Sequence, residues 1–328
     1  MASSAPVRVT VSGASGNVSY SLLFRVAAGD LLGRDVPIEL RLLDIEPAMK
    51  ALEGVVMELE DSAFPLVRNI VTTSDPKVAF DGASWALLVG SIPRREGMER
   101  GDLLKINGGI FGPYGKALAA SAASDIRVLV VGNPCNTNCL IARSNGREIP
   151  DDRWFAMVRL DSNRAKAQLA QKANVPIGDV RHMAIWGNHS ATQFPDFQNA
   201  TIGGKSAVQA IGDDEWLRGD FIKIIQQRGA AIIAARGQSS AGSAAAAIID
   251  SVVSIHTPTA AGDCASLAVT SHGEYGVPEG LQFGFPVRSK GSTWEVIEGL
   301  KQDDFAKEKI RVTTAELLSE REEVKELL

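Results

Sequence analysis

The sequence predicts an α/β protein in which a largely parallel sheet is covered by helices on both faces. Two observations point there. Short apolar runs rich in β-branched residues alternate with helical stretches through the first half of the chain. The first such run is followed at once by a glycine-bearing turn and then by helical periodicity. With 328 residues, 45% of them hydrophobic and 22% charged, the chain can bury the core this architecture needs.

Residues 7–12 read as a buried strand, 19–29 as a helix and 38–43 as the next strand. Residues 48–62 are helical, with Leu52, Val55, Val56 and Leu59 on one apolar face. Residues 70–73, 85–89 and 127–131 are of strand length. Turn formers at Asn145-Gly146 and Pro150-Asp151-Asp152 mark a change of pattern. Two domains are expected, 1–153 and 154–328, packed closely because no low-complexity linker joins them. The second half offers a helix at 163–173, a strand at 183–186 and antiparallel candidates at 200–207. An Ala-rich helical region covers 214–253, where small residues allow close helix packing, and an amphipathic helix covers 313–328. Thr313 and Glu316 have capping-box spacing at its start.

Several function classes are excluded. A net charge of −5, without a basic patch among aromatics, gives no footprint for nucleic acid. No run reaches the roughly 18 apolar residues of a membrane span. The short polar start lacks the features of a signal peptide, so the cytoplasm is expected. Cys135, Cys139 and Cys264 cannot all pair and lack companions for a metal site; they read as small buried thiols.

The turn after the first strand, Gly13-Ala14-Ser15-Gly16-Asn17-Val18-Ser19, has the form of a dinucleotide-binding loop. Gly13 can make the tight turn, and Gly16 can let the backbone approach a pyrophosphate at the next helix's N-terminus. An ordinary turn would look the same. Asp44, at the end of the second strand, can take both ribose hydroxyls of adenosine and would repel a 2′-phosphate, which favours NAD over NADP. It can equally be a helix cap.

Hydride transfer from an alcohol needs a group for the hydroxyl proton, and histidine has a suitable pKa. Of four histidines, His189 stands out because it follows a strand end and a Gly-Asn turn, and Asp161 is the candidate acid behind it. Arg94, Arg95 and Arg100 follow the strand at 85–89, where open α/β sheets bind ligands, and a guanidinium fork suits a carboxylate. Gly97 would let that segment move. Asn133 also lies at a strand end and can donate to a substrate oxygen. Ser239, Ser240 and Ser243 can face a ligand.

These motifs, in this order and over nearly the whole chain, resemble NAD-dependent malate dehydrogenase of the bacterial and cytosolic type, within the lactate/malate dehydrogenase superfamily. The resemblance rests on the glycine turn, Leu43-Asp44-Ile45, and residues 51–66, 93–100, 132–138, 159–168, 185–190 and 275–280. It implies a Rossmann-type domain, a mixed α/β substrate domain and a homodimer. It implies His189 as proton acceptor, Asp161 as its partner and Arg164 on the substrate's C1 carboxylate. Arg94 would take the distal carboxylate, with Arg100, Asn133 and Ser243 completing a site for malate or oxaloacetate. Gly13, Gly16, Asn17, Val18, Asp44, Asn107, Tyr114, Val131 and Asn133 would line the NAD site, and no metal is implied. Lactate-type relatives usually carry Gln at the position of Arg94. Ser19, Tyr114, Cys135 and His272 depart from the family pattern. Another 2-hydroxy acid dehydrogenase and a catalytically silent nucleotide-binding protein are the competing readings.

Overall fold

The computed structural model describes residues 5–92 and 100–328. Arg94 and Arg95 lie outside the described residues, as does the side chain of Arg100. The first part of the chain forms β1 (Val7–Ser12), α1 (Asn17–Ala27), β2 (Ile38–Leu43), α2 (Met49–Asp61), β3 (Val67–Thr73), α3 (Pro76–Phe80), β4 (Trp85–Leu88), α4 (Arg100–Ser121), β5 (Arg127–Val130), α5 (Cys135–Asn145) and β6 (Trp154–Ala156). There follow α6 (Arg159–Ala173), β7 (Val180–Arg181), β8 (Ile185–Trp186), β9 (Phe194–Pro195), β10 (Thr201–Ile202), β11 (Lys205–Ser206) and α7 (Ala207–Ile211). Next, α8 (Asp214–Trp216) runs through a π turn into α9 (Ile222–Arg236). Then come α10 (Gly242–His256), β12 (Ala265–Thr270), β13 (Gln282–Ser289), β14 (Trp294–Val296) and α11 (Asp304–Glu323).

The main sheet has nine strands in the order β14-β13-β12-β6-β5-β4-β1-β2-β3. Strands β1 to β6 pair in parallel, so the fold is the expected doubly wound, Rossmann-type α/β architecture with a second α/β part after it. Every residue of β2 and of β4 is buried, as a strand covered on both faces must be. Antiparallel β12, β13 and β14 extend the sheet beyond β6. The core is continuous across both parts and includes Trp154, Phe155, Trp186, Phe283 and Phe285.

Three expectations need correction. The last helix begins at Asp304, capped by Asp303, whose carboxylate accepts from the Ala306 N–H at 2.8 Å. Thr313 therefore lies inside the helix, fully buried, and the Thr313/Glu316 spacing serves another purpose. The helix expected at 163 begins at Arg159, which puts Asp161 in its first turn, at the positive end of the helix dipole. The Ala-rich region is two helices. Gly237, at φ 74°, ends α9 in the left-handed conformation, and only in α10 are alanines (Ala244, Ala245 and Ala247) buried in the core. The three cysteines are free and buried. Among the described residues, no helix is long and apolar enough to cross a membrane and no cluster suits a metal ion.

Candidate active site

The order reversal in the parallel sheet falls between β1 and β4, and there two glycines let the strand ends meet. A Cβ on Gly13, which sits at φ 61°, would lie 2.5 Å from the Gly90 Cα. The Gly90 N–H donates to the Ser12 carbonyl at 3.1 Å. Gly16 then precedes α1 as an extended residue with no side-chain cap, which leaves the first N–H groups of an 11-residue helix without a side-chain acceptor. Gly16 and Asn17 are exposed and Val18 is half-buried. Asp44, at the end of β2, reaches across to this turn. One carboxylate oxygen accepts from the Ser15 N–H (2.8 Å) and hydroxyl (2.7 Å), and the other from the Ile45 N–H (2.9 Å). The glycine turn and the acid, distant in sequence, thus share one rim. An uncapped helix start, a glycine cradle that a Cβ would fill and a part-exposed carboxylate are the donor and acceptor set a dinucleotide requires.

Tyr114, on α4, packs edge-on against Phe80 (5.4 Å) and Phe111 (6.0 Å). Burial, helped by the negative charge of Asp44, pushes its hydroxyl up to about 12. Asn107 is placed differently from a cofactor ligand. Its side chain is fully buried, its oxygen accepts from the Ile92 N–H (2.9 Å), and its amide donates to the Ile92 (3.2 Å) and Leu103 (3.1 Å) carbonyls. It fastens the backbone just after β4 to α4. Val131, at the end of β5, is buried, its N–H donating to the Leu88 carbonyl at 2.9 Å; Asn133, two residues on, is exposed.

The chemical end lies where α6, the turn after β8, α5 and α11 converge. His189 Nδ1 is hydrogen-bonded to one oxygen of Asp161, and Arg164 Nη1 donates to the other at 3.1 Å. The Asp161 side chain has no exposure, whereas His189 keeps 16% and Arg164 14%. A carboxylate at Nδ1 fixes the proton there, so neutral His189 presents the lone pair of Nε2 toward the remaining opening. Burial opposes the charged ring, but the charge of Asp161 and the hydrogen bond to it outweigh burial and hold His189 above the ordinary imidazole range. Burial likewise works against ionised Asp161; His189, Arg164 and the Gln193 side chain together outweigh it and keep the carboxyl below its ordinary value.

Arg164 also donates from Nη2 to the Ser240 hydroxyl at 3.3 Å. On its far side, a cavity of about 300 Å³ is lined by Arg164, Ser243, Leu160, Ile225 and Arg228. Ser243 and Arg164 thus share a wall, and His189 is not among the lining residues. Of the residues the sequence singles out, the structure brings Asp161, Arg164, His189 and Ser240 together at one end and Gly13, Gly16 and Asp44 at the other.

The residues that hold the histidine turn do not stand out in the sequence. Asn136, fully buried on α5, accepts from the His189 N–H (3.0 Å) and donates to the carbonyls of Gly187 (3.3 Å) and Gln282 (2.9 Å). Asn188 donates from its side chain to Glu316 (2.9 Å) and Glu320 (2.7 Å) on α11. Asn136 lay within the quoted 132–138 motif, so a signal existed. Nothing near residue 189 in sequence pointed to α11.

A doubly wound sheet with a glycine turn at its switch point, together with a buried acid–imidazole pair beside a guanidinium, defines a dinucleotide-dependent oxidoreductase. Residues 7–155 match the lactate/malate dehydrogenase NAD binding domain, and residues 158–328 match the lactate/malate dehydrogenase alpha/beta C-terminal domain. The chain belongs to the lactate/malate dehydrogenase family, and its cofactor is NAD. A malate dehydrogenase from Naegleria fowleri is 46% identical, with 99% of each chain covered and a TM-score of 0.96. A lactate dehydrogenase from Trichomonas vaginalis, in a leucine-to-arginine variant without ligand, is 36% identical over 99% of this chain and 98% of that one (TM-score 0.94). The Trichomonas vaginalis lactate dehydrogenase in complex with NADH and oxamate is also 36% identical, over 98% of both chains (TM-score 0.93).

Proposed function

We propose that the protein catalyses the reversible oxidation of (S)-malate to oxaloacetate. The observation that carries this reading is the Asp161 carboxylate shared between His189 and Arg164. It sets a proton acceptor beside a carboxylate-binding cation. Gly13, Gly16, Asn17, Val18, Asp44, Tyr114, Val131 and Asn133 would hold the cofactor. Bound NAD supplies the acceptor for the C2 hydride. As the hydride leaves C2, Nε2 of His189 takes the hydroxyl proton, and Asp161 stabilises the imidazolium that results. Arg164 holds the C1 carboxylate through its guanidinium fork and so fixes C2 beside the imidazole. In the reverse direction His189 returns the proton to the carbonyl oxygen. Asn107 acts through the Ile92 backbone rather than by touching the cofactor.

Arg94 decides the substrate. A guanidinium in the pocket needs an anion; the second carboxylate of malate or oxaloacetate supplies it, and lactate and pyruvate do not. Arg100, Asn133 and Ser243 complete the pocket. The 46% identity to a malate dehydrogenase supports the same choice. The lactate reading has its own support in the two lactate dehydrogenase structures at TM-scores of 0.94 and 0.93. One assay separates them: the loss of NADH absorbance with oxaloacetate and with pyruvate. Turnover of oxaloacetate is expected; turnover of pyruvate alone would overturn the malate reading. The working form is proposed to be a cytoplasmic homodimer whose substrate part begins at residue 154.

A further inference from the structure

The structure assigns Thr313, on the C-terminal helix, as a positioning residue for His189. This rests on the reading of His189 as the proton-transfer group.

Three elements grip the tripeptide Gly187-Asn188-His189. From β13, Gly284 exchanges two backbone hydrogen bonds with Gly187, at 3.1 and 2.9 Å. From α5, Asn136 takes the His189 N–H. From α11, the Thr313 hydroxyl accepts the Asn188 N–H at 2.9 Å. That last bond fixes the N–H of the Gly187–Asn188 peptide, one peptide before the one that leads into His189. Thr313 is fully buried, and its hydroxyl also accepts from Thr192 at 2.9 Å, so the far side of the turn is tied to the same atom. Its contact with Gly187 is close. At φ 91°, a Cβ on Gly187 would fall 2.1 Å from Thr313 Cγ2 and 2.2 Å from Oγ1. The positive φ and the closeness of Thr313 both call for glycine at this position. The same helix holds the Asn188 side chain through Glu316 and Glu320.

The Gly187–Asn188 peptide sets how Asn188 enters the turn, and through Asn188 the direction of the His189 Cα–Cβ bond, the reach of Nδ1 to Asp161 and that of Nε2 to a substrate hydroxyl. Proton transfer tolerates little displacement; a misplacement of about 1 Å can lower the rate by about 100-fold. Without its acceptor, the Asn188 N–H would be a buried orphan and the turn would rotate to satisfy it.

Thr313→Val, Thr313→Ser and Thr313→Ala test this. Val keeps the shape and removes the acceptor. Ser keeps the acceptor and loses the methyl contact, and Ala loses both. Steady-state kinetics would use whichever 2-oxo acid the wild type reduces, alongside NADH affinity by fluorescence and the melting temperature. Expected for Val and Ala is a fall in kcat of about tenfold or more, with KM and NADH affinity within about threefold of wild type, and recovery in Ser to within about threefold. If Val does not fold, Ser against Ala decides alone. Wild-type kcat in Val or Ala, or equal losses in Ser and Ala, would overturn the assignment. A wild type that reduces neither oxaloacetate nor pyruvate would instead overturn the functional reading beneath it.

Discussion

Asp161, with no exposed surface, holds Nδ1 of His189 and so decides which nitrogen of that ring is left for the proposed proton transfer. Removing the charge of Asp161 while keeping its shape separates orientation from electrostatics. Asp161→Asn lets either tautomer form and withdraws support for the imidazolium, so kcat is expected to fall on the order of 1,000-fold.

The pH dependence follows from the same pair. His189 lies above the ordinary imidazole value of about 6.5. In the proposed reaction malate oxidation needs the neutral ring, so its kcat/KM should rise with pH through that raised value. Oxaloacetate reduction needs the charged ring and should fall over the same span. In Asp161→Asn the counter-charge is gone and burial, which disfavours the imidazolium, remains. Both limbs should then move to lower pH. Profiles of kcat/KM in the two directions check this; unmoved limbs would count against His189 as the titrating group.

Gly13 and Gly90 predict the cost of a single methyl group. Gly13→Ala places a Cβ within 2.5 Å of backbone at a positive φ, where relief requires moving one strand end. Loss of NADH affinity by at least tenfold is expected, with destabilisation of about 1–3 kcal/mol. Titration by NADH fluorescence and thermal unfolding report the two effects separately.

Ser19 predicts the opposite sign. It is fully buried on α1 and its hydroxyl has no hydrogen-bond partner among the described residues. Ser19→Ala removes a desolvated polar group from a site that suits a small residue, so stability should rise by about 1 kcal/mol. A higher melting temperature at unchanged kcat is the expected reading.

Arg94→Gln tests the proposed distal-carboxylate contact. The kcat/KM for oxaloacetate should fall by about 100-fold or more, while that for pyruvate should hold or rise. Parallel assays with both acids show whether selectivity has moved rather than overall rate.

The parallel half of the fold was legible because buried strands write themselves as apolar runs, and β1, β2, β4 and β5 fall close to where those runs predict. Helix α4 was not. It contains Pro113 and several glycines, which speak against a helix. Gly115 is needed because α4 crosses α5 so closely that a Cβ there would lie 2.0 Å from the Ala142 carbonyl oxygen. That demand is tertiary and invisible in a local window. Strands β12 and β13 were missed for a related reason: buried throughout apart from Arg288, they lack the alternation that marks a half-exposed strand. At the site, His189, Asp161 and Arg164 were readable from residue type and local pattern. Thr313 and Glu320 were not, because they act on backbone and amide groups of elements far away in the chain, and Asn136 was marked only by its place in the 132–138 motif.

Strand β6 pairs with β5 on one side and, at Ala156–Ala268, with β12 on the other. The sheet therefore has no seam between its two parts. A first half synthesised alone would leave β6 with a bare edge, open to pairing with other chains. The two parts are then expected to unfold in a single transition, because a strand more than a hundred residues downstream closes beside β6.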